Sequence, residues 1–67
     1  MTNMRYQIGD IIARRRVAIG LSLRQLEQKC GVTWKTIYMI ENGRSAGRFD
    51  SVERILAALG MELEIIS

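Results

Sequence analysis

Ser22–Gly43 reads SLRQLEQKCGVTWKTIYMIENG, and a single glycine near its middle divides it into two short periodic segments. Ser22 and Gln25 stand at capping-box spacing, which starts a helix at Leu23. Leu23, Leu26 and Cys30 recur at helical spacing and form an inward face. Gly31 ends this segment after about two turns. Thr33 then caps a second segment, Trp34 to about Glu41, closed by Asn42 and Gly43. Only Val32 and Thr33 separate the turn glycine from that segment. Two short helices joined by a tight, glycine-containing turn, with an apolar residue after it, make a helix-turn-helix arrangement.

Upstream, Ile8, Ile11, Ile12 and Ile19 recur at helical spacing over about Tyr6 to Ile19, and Gly20 reads as a stop. Arg14, Arg15 and Arg16 lie in the last turns of this first helix, where cations favour the helix dipole. Arg16 follows Ile12 by four residues and so sits at the edge of the buried face, where a charge needs a partner. Glu41 is an acid in a basic region, and pairing it with Arg16 answers both needs. Downstream, Arg44–Arg48 reads as a loop. The fourth helix starts near Phe49 or Asp50: either Asp50 and Glu53 form a capping box that leaves Phe49 outside, or Phe49 is helical and shares a face with Val52, Ile55, Leu56 and Leu59. Gly60 ends it. From Met61 to Ile66 the period becomes two, with Met61, Leu63 and Ile65 alternating with Glu62, Glu64 and Ile66, which predicts a β-strand. The chain has no second strand to pair with it, so it pairs with another copy or frays, and pairing between two copies is the favoured reading. The expectation is an all-α bundle of four to five helices in one domain (residues 1–67), with a helical core over 5–60 and a C-terminal strand over 61–66 joined across a dimer.

A chain of 67 residues is near the lower limit for a self-sufficient core and needs efficient packing, a staple or a partner subunit. Cys30 is the only cysteine and there is no histidine, which excludes an intramolecular disulfide and leaves too few ligands for zinc; no metal or cofactor is expected. Cys30 reads as a small core residue. The apolar stretches are short, Arg14–Arg16 break them, and nothing resembles a signal peptide, so the expected protein is soluble and cytoplasmic, without a membrane partner. The net charge is +3 and uneven: residues 1–48 hold nine Lys/Arg against Asp10, Glu27 and Glu41, and residues 49–67 hold Arg54 against Asp50, Glu53, Glu62 and Glu64. The basic part suits a polyanion; an unevenly charged solvated surface gives the same count.

Chemistry concentrates on the third helix. Val32, Ile37 and Ile40 face inward, while Trp34, Lys35, Tyr38 and Met39 fall on the other side. Lysine can donate to guanine N7 and O6, and apolar side chains can meet thymine methyl groups, so Trp34, Lys35 and Met39 are the candidate base readers, with Tyr38 and Thr36 as further DNA contacts. The alternative is that Trp34 or Tyr38 folds back onto the core. Ser22 and Thr33 stand at helix N-termini, which attract anions. Asn42, Arg44 and Arg48 follow the reading helix and could flank a groove, setting register without reading sequence. Ordinary capping and turn chemistry also accounts for Ser22, Thr33 and Asn42.

The run from Ile8 to Gly60, through IGLSLRQLEQKCGVTWKTIYMIENG and RILAALG, resembles the lambda-repressor-like, or Xre, family. The resemblance implies that Trp34, Lys35 and Met39 read bases, that Ser22, Asn42 and Arg44 meet phosphates, and that Arg16 and Glu41 form a structural ion pair. The sequence departs from the family pattern at Leu23, where a phosphate-binding glutamine is common, and at Glu27, where a small residue is usual. It departs also at Gly47, in place of a proline, and at Trp34, bulky for a polar reader's place. The tail LAALGMELEII is similar to the end of small Xre antitoxins, especially those partnered with HipA-type kinase toxins, in which a short C-terminal strand pairs across the dimer.

These readings converge on a dimeric repressor that binds double-stranded DNA at an inverted-repeat operator, with recognition helices roughly 34–36 Å apart. An antitoxin would bind the same kind of site and also hold a protein toxin. A protein-interaction module without DNA binding would instead use Trp34 and Tyr38 as a protein contact. No histidine, glycine-rich phosphate loop or convergent acid–base set supports an enzyme.

Overall fold

The computed structural model describes residues 4–61, with four helices among them: α1 Met4–Ala18, α2 Leu23–Cys30, α3 Trp34–Glu41 and α4 Phe49–Ala58. Helices as short as α2 and α3 are marginal alone in water, so what they bury holds them. Helix α3 packs on both α1 and α2, and α2 packs on α4. Ile12 from α1, Leu26 and Cys30 from α2, Ile37 and Ile40 from α3, and Val52, Ile55 and Leu56 from α4 meet in one core, closed by Val32 and Leu59. Truncating a side chain such as Leu26 in this core costs about 2–5 kcal/mol, a large part of what a domain this size has.

Local chemistry fixes the helix ends. Ser22 and Gln25 form a reciprocal capping box: the Gln25 N–H donates to Ser22 Oγ (3.1 Å) and the Ser22 N–H to Gln25 Oε1 (2.8 Å). The Gly31 N–H donates to the Glu27 carbonyl at 2.8 Å and closes α2. Buried Cys30 stays within the turn, its Sγ accepting the Val32 N–H at 3.4 Å.

Helix α1 differs from the isoleucine pattern. Ile12 is fully buried and Ile8 packs against the core, but Ile11 and Ile19 are exposed. The inward stripe of α1 runs instead through Gly9, Ile12 and Arg16. Gly9 lies against the end of α3, where a Cβ would run into the Ile40 carbonyl oxygen and crowd the Glu41 backbone. A mid-helix glycine costs about 1 kcal/mol relative to alanine; here it lets two backbones touch.

Helix α4 begins at Phe49 with Arg48 as its N-cap and no side-chain cap bond, so the Asp50–Glu53 capping box does not form. Phe49 is helical yet about half exposed, because its first-turn position overhangs the core that Val52 and Ile55 enter. Just before it, Gly47 has φ +73°, which a proline cannot adopt, and a Cβ there would meet Ile40 Cδ1 at 2.6 Å. The glycine in place of the family's proline is therefore required by this loop.

Helix α4 closes with the Gly60 N–H on the Ala57 carbonyl (3.0 Å) and the Met61 N–H on the Leu56 carbonyl (2.8 Å), the Schellman arrangement. The Met61 amide is thus committed to the helix end, and its side chain packs against the core of its own chain. The expected strand from Met61 onwards, including Leu63 and Ile65, otherwise lies outside the described residues. Among the described residues no helix is long and apolar enough to cross a membrane.

Candidate nucleic-acid interface

Helix α3 buries Ile37 and Ile40 and turns its remaining side outward. On that side Lys35 and Tyr38 are exposed and Trp34 and Met39 half-buried. The structure thus brings Trp34, Lys35, Tyr38 and Met39 to one face, and Tyr38 points away from the core. Thr36 is half-buried and engaged locally: its N–H donates to Thr33 Oγ1 (3.4 Å), and the Thr33 hydroxyl donates to Thr36 Oγ1 (2.9 Å).

Two residues of α2 prepare the first turn of α3. Glu27 Oε2 accepts the Trp34 N–H at 3.2 Å, so this glutamate caps α3 from outside. Its negative charge at a helix N-terminus is favourable. Arg24 lies over the Trp34 indole, its guanidinium carbon 5.4 Å from the ring centroid, within cation–π range. Leu23, in the place of the family's glutamine, packs against the core.

The far end of α3 is held as firmly. The Asn42 side-chain amide donates to the Tyr38 carbonyl at 2.7 Å and the Arg44 N–H to the Met39 carbonyl at 3.0 Å. The Arg44 side chain leaves this fixed point exposed, with no carboxylate partner among the described residues. Arg48 is exposed too but has Asp50 at 3.7 Å, a surface pair worth little yet enough to dilute its charge.

Arg16 and Glu41 form the deepest polar contact. Arg16 Nε and Nη2 donate to the two carboxylate oxygens at 2.7 and 3.0 Å, and Nη1 donates to the Leu21 carbonyl at 2.8 Å. The side chains are 15% and 7% exposed. The hydrogen bond from Glu41 raises the Arg16 pKa above its ordinary value, helped by the carboxylate charge and opposed by burial, so the guanidinium stays charged at any working pH. One side chain therefore ties α1, the α1–α2 connection and the end of α3. Among the described residues no buried side-chain nitrogen or oxygen lacks a partner.

The assembled surface has cations without acidic partners among the described residues at Arg24, Lys35 and Arg44, half-buried or exposed aromatics at Trp34 and Tyr38, and helix N-termini capped at Ser22 and Thr33. Its acids are neutralised, Glu41 by Arg16 and Glu27 in part by the α3 N-terminus. Such a surface suits a polyanion whose edges offer acceptors and methyl groups. Sequence reasoning missed Gly9, Arg24 and the capping role of Glu27. Spacing could have flagged Arg24 only if α2 and α3 had first been docked, since it meets Trp34 across the turn.

A profile of a helix-turn-helix family matches residues 12–66, most of the chain. No curated protein matches the sequence significantly.

Proposed function

The chain belongs to the helix-turn-helix family of the Xre, or lambda-repressor-like, kind, and on that premise we propose that it is a transcriptional repressor that binds double-stranded DNA as a homodimer. The observation that carries the reading is the outward face of α3: Trp34, Lys35, Tyr38 and Met39 stand together there, flanked by the cations Arg24 and Arg44. Lys35 donates to guanine, Trp34 and Met39 meet apolar base edges, and Tyr38 and Thr36 lie beside them. Ser22, Thr33, Asn42, Arg44 and Arg48 set the register on the phosphates. Size supports two copies: the principal extents are 31 × 22 × 21 Å, whereas successive major grooves on one side of the duplex lie roughly 34–36 Å apart. One copy covers one groove, and an inverted repeat takes two. The tail LAALGMELEII supports a second, compatible reading, an antitoxin whose segment after Met61 joins the dimer and holds a kinase toxin.

Selection from a pool of random duplexes tests the proposal. The expected product is an inverted repeat with half-site centres about 10–10.5 bp apart, bound by two copies, with affinity falling steeply as salt rises. Failure to enrich any sequence, with weak and salt-insensitive binding, would instead favour a protein-interaction module that uses Trp34 and Tyr38 as its contact.

A further inference from the structure

An indole is a poor choice for the first reading position of a recognition helix. It has one donor and no acceptor, and so distinguishes base pairs weakly. What stands over Trp34 changes the chemistry of that position. Arg24, in the first turn of α2, places its guanidinium carbon over the ring, 5.4 Å from the centroid. A cation–π contact orients the guanidinium plane while using none of its five N–H donors. The arginines of α1 beyond the first turn are committed elsewhere: Arg14 to Asp10, Arg15 to the Leu59 carbonyl, Arg16 to Glu41. Arg48 has Asp50. Arg24 has no carboxylate or carbonyl partner among the described residues.

We propose that the base contact given to Trp34 above passes to Arg24, which reads the base facing the first turn of α3 as guanine, through N7 and O6, with Trp34 as the platform that aims it. This rests on the DNA-binding reading given above. A planar fork anchored over the indole beside the N-terminal turn of the recognition helix matches the bidentate acceptor pair of guanine. A phosphate contact needs no such aiming, because a charge on a flexible stem suffices for it, as at Arg44. The contact with the ring lowers the rotamer freedom that a long side chain otherwise loses on binding.

The test uses the full chain and the duplex that the wild-type protein selects. Each guanine of the half-site is replaced in turn by adenine or by 7-deazaguanine, which lacks the N7 acceptor, and Lys35→Ala identifies the guanine that belongs to Lys35. The wild type is expected to lose about tenfold or more in affinity for either replacement. At the guanine read by Arg24, Arg24→Ala should bind the original and replaced duplexes alike, while Arg24→Lys should keep only part of the preference, since an ammonium still donates to guanine but lacks the planar fork. Trp34→Leu should retain only part of the discrimination, since the arginine remains but is no longer aimed. Arg24 is exposed, so unchanged far-ultraviolet circular dichroism should accompany each Arg24 variant. Equal loss by Arg24→Ala on every duplex, with the salt slope lower by about one unit, would make Arg24 a phosphate contact and overturn the inference. So would undiminished discrimination by Arg24→Ala. A wild-type protein that selects no sequence would overturn the function itself; selective wild type with an indifferent Arg24→Ala overturns only the role of Arg24.

Discussion

Removing the Glu41 carboxylate strands a nearly buried cation. In Glu41→Ala the Arg16 guanidinium loses both of its carboxylate hydrogen bonds and keeps only the Leu21 carbonyl, at a site where the side chain is 15% exposed. Breaking a buried pair from one side costs about 3–5 kcal/mol. A chain of 67 residues has a total stability of about 3–10 kcal/mol, so Glu41→Ala should be partly or wholly unfolded at 37 °C (about body temperature). Glu41→Gln, which keeps the shape and one acceptor, should lose about 1.5–3 kcal/mol, the value of a hydrogen bond to a charged group. Arg16→Met combined with Glu41→Leu removes both charges and should be more stable than Glu41→Ala, with a coupling of at least about 1 kcal/mol in the double-mutant cycle. Urea unfolding followed by far-ultraviolet circular dichroism measures these variants and the single Arg16→Met and Glu41→Leu that complete the cycle, and a shift in midpoint at constant slope is read as stability. A cost below about 1 kcal/mol for Glu41→Ala, the range of solvent-exposed pairs, would refute the claim that this contact holds α1 to the end of the reading helix.

The other perturbations separate stability from binding. Gly9→Ala, which in an open helix would stabilise by about 1 kcal/mol, should here destabilise by about 1–3 kcal/mol, because the Cβ meets the Ile40 carbonyl; a raised melting temperature would refute the close approach of α1 and α3. Glu27→Ala should lower stability by about 1 kcal/mol through loss of the Trp34 N–H cap and yet strengthen non-specific DNA binding by removing an acid near the phosphates; weaker binding at equal folding would contradict that placement. Arg44→Ala should flatten the dependence of log affinity on log salt by about one unit. Arg48→Ala should flatten it less, since Asp50 already faces Arg48, and titrations across salt compare the two directly.

The sequence was most legible where structure is decided locally. The α2–turn–α3 unit rests on the Ser22–Gln25 box, the Gly31 stop and the Thr33 cap, all within a few residues of what they fix. Inward Ile37 and Ile40 follow from the helical period alone. Helix α1 was harder, because its contact stripe includes a glycine and an arginine. Apolar periodicity therefore credited Ile11 and Ile19, which are exposed, and passed over Gly9. Phe49 has the right spacing but stands one turn beyond the core. At the site, the outward group of Trp34, Lys35, Tyr38 and Met39 could be read from the period of α3. The contacts of Arg24 and Glu27 with Trp34 could not: they cross from one helix to the next, and no periodicity within either helix encodes which long side chain reaches over the turn.

If α3 reads DNA sequence through its outward face, Lys35→Ala should separate specific from non-specific binding. Affinity for the selected duplex and for a scrambled duplex of the same length would be measured for wild type and variant across salt. Lys35→Ala should weaken binding to the selected duplex by about 1–3 kcal/mol and leave binding to the scrambled duplex nearly unchanged. Equal losses on both duplexes would place Lys35 on the phosphates and contradict the reading of α3 as the helix that specifies the site.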